Sequence, residues 1–193
     1  CRGLATADRG KLIMACGTGK TFTSLRLAER MVGAGGSVLF LVPSISLLSQ
    51  TLREWATEAE VPLAPVAVCS DRKATARSKA ISEDISAVDL ALPSTTNVAV
   101  LEARLNQALG DQTSMTVVFA TYQSIDVVAQ AQAAGELPAY DLIVCDEAHR
   151  TTGTTLSGED ESAFVRVHNN GYLRGAKRLY MTATPRIYDD SSK

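Results

Sequence analysis

The stretch Lys11–Thr21, KLIMACGTGKT, constrains this chain more than any other. A short apolar run, Leu12-Ile13-Met14-Ala15, leads straight into Cys16-Gly17-Thr18-Gly19-Lys20-Thr21. The run predicts a buried strand, the glycines a tight loop, and the residues after them a helix. Such a loop turns successive backbone N–H groups inward as an anion nest, at the positive end of a helix dipole. Cys16, Gly17, Thr18, Gly19, Lys20 and Thr21 are therefore candidate phosphate-binding residues. Lys20 adds a mobile positive charge for the β- and γ-phosphates of a nucleotide, and the Thr21 hydroxyl is a candidate Mg²⁺ ligand. The general phosphate-loop pattern has Gly five positions before Gly19, where this chain carries Met14. The Gly-x-Gly-Lys-Thr end that touches phosphate is nevertheless complete. The competing reading is a Gly-rich turn ahead of a surface helix, and the strand-loop-helix context speaks against it.

A length of 193 residues allows one well-cored domain, or a domain with an insertion. The formal net charge of −2 gives no global attraction to a polyanion, which a local patch would have to hold. No apolar run approaches the roughly 20 residues that span a bilayer, so no membrane partner is expected. The start, Cys1-Arg2-Gly3-Leu4, has neither a starting Met nor the apolar core of a signal peptide, and reads as a piece cut from a longer chain. The four cysteines, Cys1, Cys16, Cys69 and Cys145, form no CxxC pair. They read as buried free thiols in a reducing cytoplasm rather than disulfides or a metal site. Neither His149 nor His168 has the spacing to join them around zinc.

Taken in order, Cys1–Gly10 reads as a lead-in whose partners lie upstream. A helix is expected from about Gly19 to Ala34, with Phe22, Leu25, Ala28 and Val32 on its inner face. Ser37–Val42 is a continuous apolar strand of the kind buried on both faces of a parallel sheet. A helix follows Pro43-Ser44, with Leu48, Leu52, Trp55 and Ala59 inward, and then a weaker strand over Pro62–Ser70. Residues 71–97 read as a variable insertion, with a short helix around Ile81, Ile85 and Val88 and a turn at Pro93. Val98, Leu101, Leu105 and Ala108 mark another helix, closed by Gly110. Met115–Ala120 is a strand, and Thr121–Ser124 leads into a helix ending at Gly135. Asp141–Cys145 is a strand ending at Asp146, and a helix is expected near Ser162–Asn169. Arg178–Met181 is the last strand, ending in Thr182-Ala183-Thr184-Pro185. This alternation predicts one α/β domain over residues 1–193, a parallel P-loop sheet with helices on both faces. Ligands of such sheets sit at the carboxyl ends of the strands, where every polar motif here falls.

Asp146 and Glu147 follow a buried strand, where carboxylates are costly unless a cation or water meets them. Beside a phosphate loop that cation is Mg²⁺, shared by Thr21, the nucleotide and Asp146, and Glu147 would orient or deprotonate the attacking water. The alternative is that both carboxylates cap the following helix.

GTGKT, DEAH (Asp146–His149) and TAT (Thr182–Thr184) together resemble the first RecA-like motor domain of a superfamily-two helicase or translocase. The resemblance covers nearly the whole chain. MACGTGKT, DEAHR and MTATPR are similar to the motor parts of type I and type ISP restriction–modification enzymes. That resemblance implies ATP and Mg²⁺ as ligands, Lys20 and Thr21 on phosphate and metal, Asp146 on the metal and Glu147 as catalytic base. It implies that His149 links the nucleotide site to Thr182 and Thr184, which couple hydrolysis to movement of duplex DNA. Pro43-Ser44 and Thr121-Tyr122-Gln123 match the segments that touch the nucleic-acid backbone in that family. Taken alone, Ser44 and Ser124 are equally well read as N-caps, Tyr122 as a core residue, His149 as a cap and the threonines as turn formers. The cluster Arg166, His168, Arg174, Lys177 and Arg178 is either a phosphate-facing patch or a solvated face.

Such motors hydrolyse ATP between two RecA-like domains, so a second one is an implied partner and the isolated chain is expected to be slow or inactive. Three rivals carry the same loop. An RNA or repair helicase of the superfamily shares every motif quoted. A P-loop NTPase without a nucleic-acid partner has no need of His149 or the TAT segment. A dead nucleotide site in an interaction module sits poorly with intact Lys20, Thr21, Asp146 and Glu147.

Overall fold

The computed structural model describes residues 2–69, 95–135, 137–149 and 165–183. Six strands form one sheet: β1 (Arg9–Ile13), β2 (Ser37–Val42), β3 (Leu63–Val68), β4 (Met115–Thr121), β5 (Tyr140–Cys145) and β6 (Gly175–Thr182). They lie in the order β1-β6-β5-β2-β4-β3, every pairing parallel. Between them run α1 (Arg2–Thr6), α2 (Lys20–Met31), α3 (Ile45–Glu58), α4 (Val98–Gly110) and α5 (Ile125–Ala134). The α/β RecA-like sheet expected from the sequence is the one observed.

Side chains alternate across a strand, so a buried strand feeds two cores. Val38, Phe40 and Val42 of β2 pack with Leu25 and Ala28 of α2 and Leu48, Leu52 and Trp55 of α3. Leu39 and Leu41 face the other way, toward Leu101 and Leu105 of α4 and Ile125 and Val128 of α5. The continuous apolar run of β2 thus reports burial on both faces, as its composition implied. At the centre of the first core, the Trp55 ring meets Phe40 edge-on at 5.2 Å and Phe119 at 5.7 Å. Trp55→Ala is expected to cost about 3–5 kcal/mol in chemical denaturation, because that void is walled by rigid strands. A cost below about 1 kcal/mol would contradict this packing.

Several expectations need correction. The first strand is not a buried run over Leu12–Ala15. It is an edge strand with one partner, β6, and Ile13 is 53% exposed. The lead-in finds its partners inside this chain: Leu4 is buried in the first core, and the carbonyls of Leu4 and Ala7 accept from Lys177 Nζ. Phe22 faces outward, with the Arg26 guanidinium 4.8 Å from its ring centre. The last strand begins at Gly175, earlier than Arg178, because Gly175 pairs with Tyr140 at the start of β5. Of the helix expected near Ser162–Asn169, only Val165 and Arg166 are helical among the described residues. Most of the segment read as an insertion, with its short helix and turn, lies outside the described residues, as do Thr184 and Pro185.

The basic cluster is not a phosphate patch. Arg178 is buried and donates to the carbonyls of Val167 and Leu173, and Arg174 to those of Gln132 and Leu137. Arg166 pairs with Asp126 at 2.7 Å. Arg174, Lys177 and Arg178 precede or open β6, at the end of the sheet away from the glycine loop. Arg178 holds the backbone of the 167–173 segment, Arg174 ties the start of β6 to the end of α5 and the loop after it, and Lys177 holds α1.

Candidate functional site

Because β6 lies between β1 and β5, the glycine loop, the end of β6 and the turn after β5 are neighbours at one sheet edge. Gly17 and Gly19 take φ of 76° and 85°, in the left-handed region that penalises any residue with a Cβ. A Cβ added at either would meet nothing within 4 Å, so the space above the loop is open and the restraint is conformational. The Thr18 N–H and Oγ1 both donate to the Ala15 carbonyl, at 3.3 and 2.7 Å, which closes the turn. Gly19 brings no side-chain cap to α2, leaving the first-turn N–H groups of that helix for an anion.

Asp146 is clamped through its own peptide. Its N–H donates to the Leu41 carbonyl of β2 at 2.9 Å, and its carbonyl accepts from the Tyr122 hydroxyl at 2.8 Å. Its Oδ1 accepts the Glu147 N–H at 2.9 Å. Glu147 then adopts φ 49°, a left-handed conformation that costs a non-glycine residue about 1–3 kcal/mol. The strained turn sends its carboxylate back over the glycine loop, where Oε1 lies 3.1 Å from Lys20 Nζ, 127 residues away. Oε2 lies 3.2 Å from His149 Nδ1, which is also 3.2 Å from Thr182 Oγ1. Lys20, Glu147, His149 and Thr182 thereby form one continuous polar chain from the loop to the end of β6.

Burial pushes the Asp146 carboxyl up, with the Glu147 charge adding to it and the Glu147 N–H, Lys20 and His149 opposing it. A carboxyl raised on folding binds its proton more tightly in the native state, so its stabilising contribution is present below the unfolded value and lost as pH rises through the folded one. Ionised Asp146 is therefore destabilising at neutral pH until a cation meets it. Asp146→Asn is expected to raise the Tm of metal-free protein at pH 7. A lowered Tm would contradict this electrostatic account.

The donor set fits Mg²⁺ held jointly with a nucleotide. Asp146 is a half-buried carboxylate short of cations, and Thr21 stands half-buried in the first turn of α2. Among the described residues no group of three or more His, Cys, Asp and Glu is placed to hold a metal alone.

The thiols, expected to be buried, split by environment, because Cys16 sits in the open glycine loop. Cys16 is exposed in the loop, whereas Cys69 and Cys145 are buried, and burial pushes the Cys145 thiol up to about 12. Peptide mapping after brief treatment with an alkylating reagent is expected to find Cys16 modified and Cys145 intact, with ATP slowing modification of Cys16. Equal modification of the two would contradict the placement.

The remaining expected residues sit at the same edge. Ser44 caps α3, its Oγ accepting from Leu47 N–H at 3.3 Å, and Pro43 precedes it at the end of β2. Thr121 is buried, with Oγ1 3.1 Å from Ser124 Oγ. Tyr122 is 0% exposed, so its ring is a core residue and does not face a sugar or base. Gln123 alone of that turn is exposed. The Tyr122–Asp146 bond and the left-handed Glu147 were not anticipated. No local pattern announces either, and the first spans the width of β2, which separates β4 from β5.

Similarity to known proteins follows the same residues. The family described as Type III restriction enzyme, res subunit (ResIII) matches residues 4–187. The chain belongs to this family. It is 32% identical over 187 residues to a probable helicase of African swine fever virus, covering 96% of this chain and 18% of that protein. Among solved structures it resembles the ATP-dependent type ISP restriction–modification enzyme LlaBIII bound to DNA, with 45% identity and a TM-score of 0.81. It also resembles a nuclease-deletion mutant of the type ISP enzyme LlaGI in complex with a DNA substrate mimic, with 42% identity and a TM-score of 0.76. Both matches cover 100% of this chain, but only 12% and 18% of those chains. This ResIII chain is thus a helicase-type motor domain by sequence and fold, and it spans under a fifth of its relatives. Among the described residues no helix is long and apolar enough to cross a membrane.

Proposed function

We propose that this ResIII domain is the ATP-binding half of a duplex-DNA-dependent translocase of the restriction–modification type. The observation that carries the reading is the polar chain Lys20–Glu147–His149–Thr182, which joins a phosphate loop to the end of a neighbouring strand. A P-loop enzyme without a polymer to move has no use for its last two members.

In this reading the loop residues Cys16, Gly17, Thr18 and Gly19 cradle ATP through their backbone and Lys20 neutralises the β- and γ-phosphates. Thr21 and Asp146 would hold Mg²⁺, which would supply positive charge against the charge developing on the phosphates. Glu147 accepts a proton from the attacking water, a role its Lys20 contact suits: when Lys20 turns to phosphate, Oε1 is released to bind water. His149 senses that release through Oε2 and passes it to Thr182, with Thr184 in the same coupling role. Pro43, Ser44 and Gln123 line the backbone-facing edge, Gln123 through its exposed side chain, and buried Thr121 braces that edge through Ser124. Tyr122 supports that edge from below.

A second RecA-like domain in the full-length protein supplies the arginine finger, worth about 10³–10⁵ in rate. The isolated domain is therefore expected to bind ATP and turn it over far below the about 1–100 s⁻¹ of a complete site. Turnover within that range by the domain alone would contradict this division of labour. The three free thiols among the described residues suit a reducing cytoplasm. Translocation itself is tested by triplex displacement on linear duplex DNA with the full-length protein. ATP-dependent displacement is expected. Strand separation without displacement, or activity on RNA alone, would favour the helicase rival.

A further inference from the structure

We infer that Tyr122 is a positioning residue that ties the turn after β4, where Gln123 is exposed, to the carboxylate turn. The inference rests on the nucleotide reading of Asp146 given above. In the sheet, β2 separates β4 from β5, so the two ends share no ladder hydrogen bond. Tyr122 bridges them: its ring is fully buried, and its hydroxyl passes the end of β2 to donate to the Asp146 carbonyl at 2.8 Å. The Asp146 N–H is meanwhile held by Leu41 of β2 at 2.9 Å. Both peptides of Asp146 are therefore gripped, one from β2 and one from the turn after β4, and the grip determines where the Asp146 carboxylate and the strained Glu147 point.

The other end of the bridge is a handle. Tyr122 opens the 3-10 turn Tyr122–Ser124, whose Gln123 is exposed at the same edge as Ser44. Thr121 and Ser124 brace that turn through their hydroxyls, 3.1 Å apart. Displacement of the turn by a bound phosphodiester backbone moves the phenol, and the phenol moves Asp146. A conventional core tyrosine would pack equally well as phenylalanine; the donated hydrogen bond is what the wiring needs.

The test compares Tyr122→Phe with wild type in the full-length protein. Amide exchange of a peptide spanning residues 140–149, in metal-free protein, is expected to quicken about tenfold in the variant. The Mg²⁺ concentration that half-saturates ATP hydrolysis is expected to rise about fivefold, and stimulation by duplex DNA to fall about fivefold, with KM for ATP within about twofold. Unchanged exchange together with unchanged Mg²⁺ dependence would overturn the inference, whatever happens to Tm. If Tyr122→Phe does not fold, wild type decides: duplex DNA is expected to change exchange in the 140–149 peptide, and no change overturns the wiring. Glu147→Gln separates the two levels. Full activity in that variant defeats the nucleotide reading itself, whereas an inactive Glu147→Gln beside a wild-type-like Tyr122→Phe defeats the inference alone.

Discussion

Glu147→Gln in the full-length protein is expected to lower kcat for ATP hydrolysis by about 10²–10⁴ while nucleotide binding survives. The amide keeps the shape of the side chain and the left-handed turn that aims it, so the backbone at 146–147 has no reason to move. What disappears is the group that accepts the proton of the attacking water. Binding is expected to hold or tighten, because Glu147 Oε1 now competes for Lys20 at 3.1 Å and the neutral amide competes less. The check is a paired measurement: steady-state hydrolysis, and titration with a fluorescent ATP analogue. A kcat within tenfold of wild type, or lost binding, would contradict the assignment.

Lys20→Ala is expected to do the reverse, weakening ATP binding by about 10–100-fold through loss of a charge-assisted hydrogen bond worth about 1.5–3 kcal/mol. The effect is compounded locally. Without Lys20, Glu147 and Asp146 face the phosphates with one cation fewer, and His149 is left to meet Glu147. The same titration reads this, and wild-type affinity in Lys20→Ala would show that the loop is a turn and not a phosphate cradle. The two variants together separate binding from chemistry, which no single loss of activity can do.

The parts of this architecture that were legible in sequence are those governed by local rules. The apolar run Ser37–Val42 needed burial on both faces and received it, and Gly17 and Gly19 stand where left-handed backbone was required. Ser44 caps α3 through its own side chain. The misreadings came from sheet position, which no local pattern encodes. Leu12-Ile13 looks as apolar as a central strand, yet β1 is an edge, and its exposed Ile13 reflects one missing neighbour. The basic cluster looks like an anion site in one dimension. In three, Arg178 and Arg174 satisfy carbonyls at the far end of the sheet. Tyr122 was ambiguous between core and interface because its neighbours really are split: it is buried, and Gln123 beside it is exposed. Only the crossing of β2 explains why a buried hydroxyl is present at that point.

Coupling of hydrolysis to polymer rests on one polar chain, from Lys20 through Glu147 and His149 to Thr182 at the end of β6. Steady-state ATP hydrolysis by the full-length protein tests it most directly, measured without nucleic acid, with linear duplex DNA and with single-stranded RNA. Strong stimulation by duplex DNA, abolished in Glu147→Gln, is the predicted result. Hydrolysis indifferent to every polymer would contradict it, and would leave a P-loop enzyme whose His149 and Thr182 serve its own fold alone.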